Sequence, residues 1–227
     1  MPADPYRPLY EDSEIFALEL VRRAADPAAT ARAEHAVRDL AQRHPALAEE
    51  AAAIGLTAAL ARLSCTVLHA ASSRHDPLTA QTPEDRPAPT AAHAREIAGV
   101  LDRLGAGLRS TGAAPLDVAQ RSFIELTRLA LAEQMPGGRP LRKSATKPLG
   151  CALAAPEPVV ALLPLVTCAA QLARACLHHL LGLDLPLAPD SDAGTARVVD
   201  PDRALRQVLD GFEMHKITQH AAVAGAL

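Results

Sequence analysis

From Pro158 to Ala173 the chain carries no charged residue. A helix that is apolar on every side has to be surrounded, either by other protein or by lipid. The run is shorter than the roughly 20 apolar residues a membrane span requires, and Pro164 interrupts it. It is therefore expected to be the central helix of a bundle, over about Glu157 to Leu181, enclosed by its neighbours.

The residues available elsewhere point the same way. Apolar side chains make up 49% of the sequence but aromatics only 2%, with no Trp, so the apolar content rests on Ala, Leu and Val. Ala and Leu, together with Arg and Glu, lose least on entering a helix. An all-α fold follows. A chain of 227 residues can bury about 70% of its unfolded surface, and no repeat or composition shift divides it, so a single domain of about six to seven helices is expected.

Apolar spacing and helix-breaking pairs place the other helices. The first, about Ser13 to Ala25, sets Phe16, Ala17, Leu20, Val21 and Ala24 on one side and Glu14, Glu19, Arg22 and Arg23 on the other. Asp26-Pro27 ends it and opens a second, which His44-Pro45 breaks. A third, about Ala46 to Ser73, is rich in alanine and allows close helix packing. A fourth spans about Thr90 to Ser110 and a fifth about Pro115 to Gln134, stopped by Pro136-Gly137-Gly138. The last runs from Asp200-Pro201 to about His220, with Leu205, Val208, Leu209, Phe212 and Ile217 inward. Residues 1–12 are expected to be flexible and the tail 221–227 frayed. His35, His44, His215 and His220 fall at polar or terminal positions and are expected in solvent.

Three long connections remain: a Pro-rich loop at 75–90, a basic loop at 136–155 and a loop at 182–199. Connections of this length in a domain are often functional. The middle one holds Arg139, Arg142, Lys143 and Lys147, with no acidic residue between Gln134 and Glu157. Such a segment beside a helix N-terminus can bind an anion, since charge attracts it and free backbone N–H groups complete the site. Ser144 and Thr146 within it are possible phosphate acceptors.

The thiols and imidazoles form two helical pairs, Cys65/His69 at i,i+4 and Cys176/His179 at i,i+3. If their helices faced each other, four ligands of zinc or haem type would converge. The structural alternative is that buried Cys acts as a small hydrophobe and His caps helix carbonyls. Cys151 lies in the basic loop, where Lys143, Lys147 and the dipole of the following helix favour a reactive thiolate. No cofactor is expected, and the familiar hydrolase, metalloprotease and P-loop motifs are not found.

A net charge of −3 gives no general attraction to nucleic acid or anionic lipid. The second and third helices make a poor DNA-reading pair because Glu49 and Glu50 open the third. Four Cys without a disulfide-dense pattern and no leader-like N-terminus fit a reducing cytoplasm, and 20 Arg against 3 Lys resembles the coding bias of a GC-rich bacterial genome. The expected function is a non-catalytic interaction or regulatory protein of the bacterial cytosol, with a protein partner or self-association through helix faces. The alternative is a small anionic or apolar ligand, or a substrate, in a pocket lined by the helix at 157–181 and gated by residues 139–147.

Overall fold

A computed structural model describes residues 6–73, 91–107, 114–135, 137–181 and 201–225. Among these residues there are nine helical segments and no strand: α1 (Arg7–Arg23), α2 (Ala29–Arg43), α3 (Glu49–Ser73), α4 (Ala91–Gly107), α5 (Ala114–Gln134), α6 (Leu141–Ser144), α7 (Thr146–Leu153), α8 (Pro158–Leu180) and α9 (Pro201–Gly225). The all-α bundle expected from composition is present, with two more helical segments than the upper count. The expected loops at 75–90 and 182–199 lie outside the described residues.

Helix α8, which carries the uncharged run, sits at the centre, with α3 as its main neighbour and α1, α2, α4, α5, α7 and α9 around them. Leu162, Val166, Ala169, Ala173, Cys176 and Leu177 of α8 are fully enclosed, as are Ala53, Leu56, Leu60, Ala61 and Cys65 of α3. Small residues on both let the axes approach closely. Two hydroxyls buried in these helices satisfy themselves inside their own helix: Thr57 donates to the Ala53 carbonyl at 2.8 Å and Thr167 to the Leu163 carbonyl at 3.0 Å. At 23 residues α8 is longer than its uncharged run, and both it and Glu49–His69 of α3 reach the length and apolarity of a membrane span. However, 72% of the span-like window in α3 and 56% of that in α8 are buried inside the bundle.

Several expectations are corrected. The supposedly flexible N-terminus is helical from Arg7, because Leu9 is buried and Pro8 occupies the first turn, where a missing N–H does no harm. The last helix continues through 221–225 instead of fraying at His220. Ile217 is 48% exposed, not inward, since α9 packs through Leu205, Leu209 and Phe212. The basic stretch at 136–155 is not an irregular loop: its residues 141–153 fold as α6 and α7. Leu141, Ala145 and Leu149, spaced four apart, are all buried. Pro148 and Gly150 mask this spacing in the sequence, although a proline in the first turn of α7 is tolerated.

Two glycines have clear structural roles. Gly55 lets α3 lie against α1, where a Cβ would come within 2.6 Å of the Ser13 hydroxyl. Gly137 takes a φ of +76° in the turn that follows α5, a conformation that side-chain-bearing residues rarely adopt.

Candidate functional site

The two Cys/His pairs meet only in part. Cys65 and Cys176 are neighbours within the α3/α8 contact and both are fully buried. Burial pushes both thiols up to about 12, outweighing the downward pull of the Ser64 hydroxyl on Cys176. They therefore remain protonated and pack as small apolar groups. Cys168 is likewise raised to about 12 by burial. His69 and His179 are both partly exposed. Among the described residues no group of three or more His, Cys, Asp or Glu side chains is placed to hold a metal ion.

The basic segment is spread over a folded element. Arg139 is exposed ahead of α6 and Lys147 is exposed on α7, while the side chains of Arg142, Lys143 and Thr146 lie outside the described residues. The first amide of α6 is taken within the protein: Leu141 N–H donates to Glu133 Oε1 at 2.8 Å. Glu133 also receives Arg62 Nε at 2.9 Å and Nη2 at 3.0 Å. Burial pushes the Glu133 carboxyl up, but the hydrogen bonds from Arg62 and Leu141 and the guanidinium charge outweigh it. The net position lies below the usual glutamate range.

Cys151 is the exposed thiol among the four. It lies toward the carbonyl end of α7, not directly ahead of the first turn of α8, because Ala154 to Glu157 separate the two helices. It stands at a recess of about 280 Å³ between α5, α7 and α8. The walls are Ala119, Pro148, Ala152, Ala161, Pro164 and Leu165, with Ser122 as the one hydroxyl. Small side chains and two prolines explain the gap, since neither alanine nor a proline ring reaches far from the helix axis. Pro164 has no N–H to donate to the carbonyl four residues earlier in α8. Val118 in its lining has 46% of its surface exposed.

A second polar region escaped the sequence reading. Glu14, placed on the solvent side of α1 by its spacing, accepts hydrogen bonds from Lys216 Nζ and from the His220 ring, each at 3.0 Å. Arg22 donates to Asp210 at 2.8 Å and to Glu213 at 2.5 Å. His44, also expected in solvent, has a side chain only 15% exposed and lies 3.0 Å from Asp12. His35 is exposed as expected, beside Asp39. The missed residues share one cause: the polar face of α1 is covered by elements distant in sequence, and helical periodicity carries no information about that.

Comparison with protein-family models, curated proteins and solved structures yields no match, so the functional reading rests on the geometry alone.

Proposed function

We propose that the protein is a non-catalytic helical interaction module of the bacterial cytosol, and that its contact face is the surface where α5, α7 and α8 meet. The observation that carries this reading is the apolar recess of about 280 Å³ with Val118 of its lining 46% exposed. An apolar concavity with an exposed apolar side chain suits the seating of a partner's side chain, because water leaves both surfaces on contact. The half-buried charges support the same reading: Arg62, Glu133, Arg22, Glu14 and Lys216 tie one helix to another. In this reading α3 and α8 are core helices, consistent with their burial.

Light scattering of the purified chain, with cross-linking through Cys151, tests the proposal. The expected result is a self-associated species or a co-purifying protein attached at Cys151, lost in Val118→Asp with helix content unchanged. A strict monomer that gives no Cys151 adduct would sink it.

The same recess favours a second reading, a small ligand held mainly by apolar contact. Its polar side chains are few, namely Ser122 and the Cys151 thiol, so a compact, mainly apolar molecule would fit best. Native mass spectrometry distinguishes the two, since added mass of small-molecule size on the monomer supports only the second.

A further inference from the structure

The attachment of α9 differs from that of the other long helices. Among the described residues its buried side chains are Leu205, Leu209 and Phe212, while Met214 and Ile217 point away from the bundle at 62% and 48% exposure. Val208 packs against the core in part, and ion pairs add to the attachment. Arg174 of α8 donates to Asp202 at 2.8 Å, Arg22 of α1 holds Asp210 and Glu213, and Glu14 receives Lys216 and His220.

Two of these pairs are asymmetric, whereas Glu14, Lys216 and His220 are all about a quarter exposed. Arg174 and Arg22 are only 15% and 18% exposed, whereas their partners Asp202 and Asp210 on α9 are 65% and 67% exposed. The receiving side is thus a sheltered template of charge, in the order base, base, acid. Along α9 the matching order is Asp202, then Asp210 and Glu213, then Lys216 and His220. Beneath the helix the packing is incomplete: a cavity of about 50 Å³ separates Phe212 and Lys216 from Leu18, Ala59 and Leu63. A helix that buries only three side chains, depends for much of the rest on ion pairs of which Asp202 and Asp210 face solvent, and covers a partly empty floor is less firmly attached than the core helices, since exposed pairs are screened by salt and unfilled space forfeits dispersion contacts.

We propose that the groove on α1, α3 and α8 is a docking site for an amphipathic helix, and that α9 is its occupant in cis. A partner helix that sets acidic side chains against Arg174 and Arg22 and basic ones against Glu14 displaces α9. The charge order supplies selectivity, and the covalent connection keeps α9 in place by a local concentration of roughly millimolar order until such a partner arrives. The groove lies apart from the α5/α7/α8 recess, so the two proposals stand or fall separately.

The test uses the full chain and, as probe, a fluorescent peptide of residues 201–225. In Asp210→Lys/Glu213→Lys the cis helix is loosened while the groove keeps Arg22, Arg174 and Glu14. The peptide should bind this variant about tenfold more tightly than the wild-type chain, because a larger fraction of grooves is open. Adding Arg22→Glu should abolish binding. Hydrogen exchange on the wild-type chain gives an independent reading: rising salt should accelerate α9 amides before those of α3 and α8. Equal peptide affinity for wild type and variant, binding that survives Arg22→Glu, or α9 exchange in step with α3 and α8 at every salt concentration would each overturn the proposal.

Discussion

Glu133 and Arg62 form a two-point ion pair, with Nε to Oε2 at 2.9 Å and Nη2 to Oε1 at 3.0 Å. The pair links the end of α5 to the middle of α3, and the same carboxylate holds the first amide of α6. Its side chains are 24% and 33% exposed, so water screens it only in part. One carboxylate therefore aligns three helices and fixes how the basic segment leaves α5.

Removing either partner leaves the other half-buried and uncompensated. Arg62→Ala or Glu133→Ala should destabilise the fold by about 2–3 kcal/mol, the range for hydrogen bonds to charged groups. The double variant should lose less than the sum of the two. Urea denaturation of the four proteins measures the coupling, and strict additivity would deny the pair any role.

The depressed Glu133 carboxyl also sets a pH dependence. Its proton binds more weakly in the folded chain than in the unfolded one, so acid favours unfolding. This stability is fully present above the unfolded glutamate value of about 4.3 and is lost as pH falls through the lower folded value. The urea midpoint of wild type should fall over that window more steeply than that of Glu133→Gln, and parallel curves would count against the assignment.

Thiol reactivity should divide sharply by burial. Cys65, Cys168 and Cys176 are enclosed, with thiols raised to about 12, while Cys151 is exposed. A disulfide reagent at neutral pH should label one thiol quickly in the native protein and all four after unfolding, with the fast phase absent in Cys151→Ser. Rapid native labelling of a second cysteine would mean that the α3/α8 contact opens readily.

The approach of α1 to α3 depends on the missing Cβ at Gly55. Gly55→Ala should destabilise by about 1–3 kcal/mol through overpacking against the Ser13 hydroxyl. Ser13→Ala in that background should recover part of the loss, because it removes the clashing oxygen. Thermal or urea unfolding of the single and double variants decides it. A neutral Gly55→Ala would show that Ser13 can turn away at little cost.

How much of this was legible beforehand follows from what each signal encodes. The uncharged stretch of α8 and the apolar spacing of α1, α3 and α5 reflect burial of one stripe or a whole surface, and that pattern is written locally. The pairs Asp26-Pro27, His44-Pro45 and Pro136-Gly137-Gly138 end or separate helices through backbone constraints that are equally local. In α6 and α7 the buried spacing of Leu141, Ala145 and Leu149 was present too, but Pro148 and Gly150 hid it.

The sequence by itself determined that the chain is helical, where its long helices lie, and that the one without charge must be enclosed. Only the tertiary structure decided which polar faces are covered and by what. Arg22 meets Asp210, and Glu14 meets Lys216, across separations of 188 and 202 residues. The periodicity of α1 marks both residues as solvent-facing, yet α9 lies over them. An apolar stripe announces that it needs a partner, because exposing it to water is unfavourable. A charged face is stable either in water or beside opposite charge, so its neighbour is known only once the helices are packed.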